Sequence, residues 1–304
     1  MQALISIVIP VYQSEKTLHE LLHRLASIRE KCNLELILVD DGSKDRSWEV
    51  ISLLKTEYSF LSAIRLSRNY GQHNAILCGM NLSKGEYVVT IDDDLQFAPE
   101  DIPVLIDCIS SNPYDLVYGM PTQRKDSTVR SLGSRYLNFT SYGNSENQRG
   151  GSSFRILKRS LVEKVLSRNM HTGVFLDSVF QWYTTAIGHC QVSHSPRKVG
   201  KSGYTFPKLV SLYFSIVVNH SAAPLKAMIW LGILGAFFSF VLSAVFIYRR
   251  LIHDVPVGFT ATIVAILFTA SLILLSLGVI GMYIFRIHQM LLNKPVYEIR
   301  EVLK

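Results

Sequence analysis

The sequence predicts an α/β domain built on a mostly parallel sheet with helices on both faces, followed by two helices that cross a membrane. Three observations carry this. Short β-branched apolar runs alternate with helix-like stretches through the first half of the chain, polar turns rich in carboxylates stand at the ends of those runs, and two long stretches near the C-terminus hold no charge. Strands separated by helices are not joined as hairpins, so neighbouring strands run parallel and the helices cover the sheet.

Ile5–Pro10 is the first predicted strand and Thr17–Arg29 the first helix, followed by strand Leu34–Val39 and helix Ser47–Tyr58. Strand Ala63–Leu66, helix Asn74–Leu82, and strands Tyr87–Ile91 and Leu116–Tyr118 continue the series. Each strand is a short, largely apolar run, as burial on both faces requires. An apolar helix is expected over Val174–Ile187, and Lys208–Asn219 reads as amphipathic, suited to lying along a membrane interface.

Ala227–Tyr248 holds 22 uncharged residues and Val255–Phe285 holds 31, each long enough to cross a hydrocarbon core of about 30 Å. The expected organisation is a domain over 1–204, an interfacial segment over 205–224, and a membrane region over 225–304 with spans near 227–248 and 258–285 and a C-terminal tail. Leu4–Val11 is too short for a signal peptide and lacks a basic n-region. Lys201, Lys208 and Lys226 before the spans, with Arg286, Lys294, Arg300 and Lys304 after them, favour both flanks in the cytoplasm of a multi-pass protein of the cell (inner) membrane. Gly232, Gly235, Ser239, Ser243, Gly278 and Gly281 let helices approach closely. Packing between the two spans and contact between copies in a homo-oligomer explain them equally well.

Composition narrows the function. With 48% hydrophobic and 18% charged residues the chain is too apolar to be disordered. The net charge of +7 is split: residues 1–117 carry 10 Lys/Arg against 17 Asp/Glu, residues 118–224 carry 14 against 4, and residues 225–304 carry 7 against 3. An acidic front half suits a cation, and a basic middle suits phosphate or a lipid headgroup. Nucleic acid is not the expected partner, because the basic residues belong to no recognisable nucleic-acid module and lead into a membrane segment. Cys32, Cys78, Cys108 and Cys190 stand far apart without a C-x-x-C pair, so free thiols are expected.

Ligands of open parallel sheets bind beyond the carboxyl ends of the strands. There the chain places Asp40-Asp41-Gly42-Ser43 after the second strand and Asp92-Asp93-Asp94-Leu95-Gln96 after the fourth. Three adjacent carboxylates repel one another unless a cation or hydrogen-bond donors offset them. Carboxylates suit Mg²⁺ or Mn²⁺, ions that bind substrate phosphates, and so a diphosphate-bearing substrate is expected.

Pro10-Val11-Tyr12, Asp40-Asp41-Gly42-Ser43, Ser67-Arg68-Asn69-Tyr70-Gly71, Asp92-Asp93-Asp94-Leu95-Gln96 and Ser153-Phe154-Arg155 follow one another in the order of the motifs of family 2 inverting glycosyltransferases of the GT-A fold. The chain resembles most the branch that transfers sugars to polyprenyl phosphates, and this extends through Gly200-Lys201-Ser202-Gly203-Tyr204 and the two spans. The run Asn69–His73 is more similar to the aminoarabinose-type members than to the glucosyl ones.

The resemblance implies a membrane-bound transferase that moves a sugar from a nucleotide diphosphate sugar to polyprenyl phosphate, undecaprenyl phosphate above all, with Mg²⁺ or Mn²⁺. It implies nucleotide-sugar contacts at Pro10, Tyr12, Asp40, Asp41, Arg68, Asn69, Gln72 and Asp93. Asp92, Asp94 and Gln96 would hold the metal, and Asp94, Gln96, Arg124, Arg130 and Arg155 would carry catalysis. Ser153, Arg197, Lys201 and Tyr204 would face the acceptor and the membrane. A phosphate monoester with a second pKa of roughly 6 is already largely dianionic, so it attacks without a general base. An acceptor hydroxyl would need one, and Asp177 is the candidate in that rival reading. A non-catalytic membrane scaffold is the other rival.

Overall fold

Every residue of β1 (Ile5–Val11) is buried, because its odd positions pack into one core and Val8 into another on the opposite face of the sheet. A computed structural model describes residues 3–30, 32–122, 152–167, 176–195, 258–292 and 295–304, with individual positions between 228 and 252. The elements after β1 are α1 (Leu18–Arg29), β2 (Leu34–Asp40), α2 (Ser47–Glu57), β3 (Leu61–Leu66), α3 (Gln72–Leu82) and β4 (Tyr87–Thr90). A 3-10 turn (Pro99–Asp101) then leads into α4 (Ile102–Ser110) and β5 (Leu116–Pro121). The rest are β6 (Arg155–Lys158), α5 (Arg159–Ser167), α6 (Leu176–Tyr183), β7 (Ile187–Val192), α7 (Phe259–Leu291) and β8 (Ile299–Leu303).

The eight strands form one sheet in the order β7-β5-β6-β4-β1-β2-β3-β8. Pairings β4/β1/β2/β3 and β5/β7 are parallel, while β6 and β8 run antiparallel to their neighbours. The apolar stripes of α1, α2 and α4 fill one face and those of α3, α5 and α6 the other, the double cover expected of a parallel sheet. Helix α3 lies so close to the sheet that a Cβ on Gly79 would collide with Val8.

The structure departs from expectation in three places. The helix expected over Val174–Ile187 ends at Tyr183, and Ile187 begins β7, which pairs parallel with β5. Thr184 causes the break: its hydroxyl donates to Asp115 at 2.7 Å and accepts from the Ala186 amide at 3.0 Å, turning the chain out of the helix. Phe154-Arg155, read only as a motif, opens an internal antiparallel strand between β4 and β5. The C-terminal tail is β8, laid against β3, with the Ser67 amide donating to the Glu298 carbonyl at 2.9 Å.

The expectation of four free thiols is also corrected. Cys108 at the end of α4 and Cys190 in β7 are joined as a disulfide, and Cys32 and Cys78 are free. The two lie 82 residues apart in sequence, and only the sheet order, with α4 packed over β5 and β7, makes them neighbours. Burial pushes the Cys78 thiol up to about 12, so it stays protonated.

The chain divides into two units. The first holds the whole sheet, β8 included, with α1–α6. The second holds α7 and the positions between 228 and 252, all of which are helical where described. Helix α7 has 33 residues, and its stretch Phe268–Phe285 has a mean hydropathy of 2.1 with none of it buried.

Candidate active site

The carboxyl ends of β1, β2 and β4 bring three loops together. At the end of β2, Asp40 is fully buried and accepts from the Ser43 amide at 3.2 Å, while its second oxygen lies 3.6 Å from Arg65 Nε. Asp41, also buried, accepts from the Tyr70 and Gly71 amides at 2.7 and 2.8 Å. Its carboxylate therefore pins the loop after β3 to the turn after β2. Gly42 makes this approach feasible, because its φ is +66° and a Cβ there would stand 2.6 Å from the Arg68 carbonyl carbon. Burial raises both carboxyls above their ordinary range, opposed by Ser43 at Asp40 and by the two amides at Asp41.

The triplet after β4 fans out. Asp92 accepts from Gln72 Nε2 at 2.5 Å, at the first residue of α3. Asp93 turns back toward β1, where it accepts from the Tyr12 amide at 3.3 Å. Burial pushes the Asp93 carboxyl up to about 6, the flanking Asp92 and Asp94 add to the rise, and hydrogen bonds from Ser14 and Tyr12 oppose it. Asp94 accepts from the Gln96 amide at 3.1 Å across Leu95, whose φ is +57°. Gln13 takes a φ of +56° in the loop after β1, where its amide donates to Ser43 Oγ at 3.0 Å and the Ser14 amide to Ser47 Oγ at 2.9 Å.

Among the described residues no three His, Cys, Asp or Glu side chains converge as a ready-made metal cage. Two outward carboxylates, Asp92 and Asp94, with the Gln96 amide oxygen still fit a hard divalent ion, since Mg²⁺ and Mn²⁺ take one or two carboxylates and complete their shell with water and substrate phosphate.

The other predicted residues distribute as follows. Tyr12 is exposed at the site mouth, as are Arg68 and Asn69, with the Arg68 guanidinium 4.8 Å from the centre of the Tyr70 ring. Pro10, expected at the nucleotide, is buried in β1 opposite Val39. Ser153 offers its carbonyl to the Thr90 hydroxyl at 2.7 Å, next to the triplet. Arg124, Arg130, Arg197, Lys201 and Tyr204 lie outside the described residues.

Arg155, expected to carry catalysis, is fully buried. Its Nε donates to Thr90 Oγ1 at 3.1 Å, Nη1 pairs with Asp177, and Phe180 lies under the guanidinium at 4.9 Å. Asp177 also accepts from the Tyr118 hydroxyl at 2.8 Å, and burial together with Asp177 pushes that phenol up. Asp177 is thus held between Arg155 and Tyr118. The sequence reading missed the role of Asp93 toward β1 and the continuation of β7 described below, for which no motif gives a signal.

The glycosyl transferase family 2 pattern matches residues 6–168. The undecaprenyl-phosphate 4-deoxy-4-formamido-L-arabinose transferase of Serratia proteamaculans is 32% identical, covering 98% of this chain and 93% of its own length. The Aeromonas hydrophila transferase of the same description is 33% identical, covering 99% and 94%. Among solved structures, glucosyl-3-phosphoglycerate synthase of Mycobacterium tuberculosis with Mn²⁺, UDP-glucose and phosphoglyceric acid superposes with a TM-score of 0.52 at 17% identity, covering 71% of this chain and 78% of that one. Mannosyl-3-phosphoglycerate synthase of Rubrobacter xylanophilus gives 0.53 at 15%, covering 76% and 75%. These likenesses concern the GT-A fold.

Proposed function

This chain belongs to glycosyl transferase family 2, and from that premise we propose that it moves a sugar from a nucleotide diphosphate sugar to undecaprenyl phosphate with inversion at the anomeric carbon. The observation that carries the reading is the placement of Asp92 and Asp94 at the end of β4, beside the buried Asp40–Ser43 turn and the loop that Asp41 pins. Relatives matched over nearly the full chain act on undecaprenyl phosphate by name, and 4-deoxy-4-formamido-L-arabinose on a uridine diphosphate is the first donor to test.

Asp40, Asp41, Tyr12, Arg68 and Asn69 frame the nucleotide side, and Gln72 holds Asp92 in place. Asp92, Asp94 and Gln96 would hold Mg²⁺ or Mn²⁺, which when bound neutralises charge on the departing diphosphate. The remaining task is to align two anions and shield them from each other. Arg124 and Arg130, whose forked guanidinium groups suit phosphate, are the proposed partners for it. The acceptor arrives as a dianion, so no base is needed. The burial of Asp177 against Arg155 and Tyr118 favours this reading over an acceptor hydroxyl activated by Asp177. Intact donors at the triplet argue against a scaffold without chemistry.

In the same reading α7 and the helical positions between 228 and 252 form a pair of crossings, with Arg197, Lys201 and Tyr204 toward the headgroups. The pairing of β8 with β3 supports an even number of crossings, because the chain must return to the side where the sheet lies. The test supplies the purified full-length protein with Mn²⁺ or Mg²⁺, undecaprenyl phosphate and a panel of labelled nucleotide sugars. Labelled lipid that disappears with Asp94→Asn is the expected result, and no labelled lipid with any donor would overturn the proposal.

A further inference from the structure

The loop that carries Asp94 and Gln96 is held in an uncommon shape. Leu95 has a φ of +57°, a region that leucine rarely occupies, and such a conformation persists only where the surroundings over-determine it. Leu95 itself is buried in the core. The residue that closes the loop, Phe97, lies between two rings: Phe154 at 5.4 Å between centroids and His194 at 5.2 Å, nearly perpendicular. Phe97 and His194 also form an isolated antiparallel bridge, and the Ser195 amide donates to the Gln96 carbonyl at 2.8 Å. One turn later the Ser193 amide donates to Asp101 at 2.5 Å. Phe154 is fixed in its turn, since it is fully buried against Gly119, where a Cβ would stand 2.8 Å from its ring.

We propose that Phe97 is a positioning residue: wedged between Phe154 and His194, it locks the Leu95 turn so that Asp94 and Gln96 face a metal-bound diphosphate. The proposal deepens the glycosyltransferase reading and rests on it. The two segments that grip Phe97 are those the sequence associates with the acceptor. Ser153 stands immediately before Phe154, and the chain beyond Ser195 leads to Arg197, Lys201 and Tyr204. The metal loop is thereby fastened to the acceptor side of the sheet by one aromatic ring.

The test is Mn²⁺ binding by the full-length protein in nanodiscs with UDP present, read from the paramagnetic resonance of free Mn²⁺, alongside thermal unfolding. Phe97→Ala is expected to weaken Mn²⁺ binding roughly tenfold, as the loss of one oriented ligand would, while Phe97→Tyr restores it. His194→Ala, which removes an exposed ring and leaves the core closed, is expected to weaken it several-fold with little change in unfolding temperature, and it decides the matter should Phe97→Ala not fold. Wild-type binding that depends on Asp94, with His194→Ala and any folded Phe97→Ala binding within twofold of it, overturns the positioning role alone. Wild-type protein that binds no Mn²⁺ through Asp94 overturns the metal reading and this proposal together.

Discussion

At the scale of single residues the site divides into carboxylates that face outward and carboxylates that hold the protein together. Asp94 is of the first kind, and Asp94→Asn is expected to lower kcat on the order of 100-fold or more while leaving the unfolding temperature nearly unchanged. Asp41 is of the second kind: Asp41→Ala leaves the Tyr70 and Gly71 amides without their partner and is expected to cost about 1–3 kcal/mol in chemical denaturation. Asp177 separates the two mechanisms. Asp177→Asn strips the charge that offsets Arg155, so a loss of about 3–5 kcal/mol is expected, yet folded protein should keep the wild-type pH profile of transfer; a profile that loses its acidic limb would restore the catalytic base. Asp93 supplies the pH test. With its carboxyl at about 6 in the folded protein and near 3.8 unfolded, the folded state binds more protons between those values, so this group's contribution to stability falls as pH rises through 6. Asp93→Asn is therefore expected to gain unfolding temperature relative to wild type as the pH is raised from 5 to 7, measured without metal.

At the scale of elements the parallel core was legible from its residues, because Ile5–Val11 and Leu34–Asp40 are largely apolar, as strands covered on both faces must be, and the helix between them favours parallel pairing. What escaped were elements set by distant partners. Val174–Ile187 reads as one helix until Thr184 meets Asp115, a contact across 69 residues that no local pattern carries. Arg155 reads as a phosphate ligand from its motif, and only the antiparallel insertion of β6 turns it inward to Asp177. The acidic triplet was legible as a site, whereas the direction of each carboxylate depends on Gln72, Tyr12 and the Leu95 turn. The Gly42 turn is the element where backbone and site coincide. Gly42→Ala forces a side chain into positive φ against Arg68 and is expected to cost about 1–3 kcal/mol and to raise the KM for the nucleotide sugar more than it lowers kcat.

At the scale of the whole molecule one edge of the sheet is covered from far along the chain, where β8 pairs with β3. Removing residues 297–304 would uncover the outer edge of β3 and the Asn81 partner of Tyr297, held at 3.2 Å, and the truncated protein is expected to elute as larger species than the full chain in size-exclusion chromatography. The same feature sets an order of events during synthesis. Strand β3 is complete when Leu66 leaves the ribosome, but its neighbour begins only at Ile299, which at ordinary elongation rates is a delay on the order of tens of seconds. Through that interval the flank of the nascent sheet stands unzipped, and it is sealed only after every intervening apolar segment has been translated. Docking of β8 is thus the step that completes the row of strands, long after its neighbour has formed.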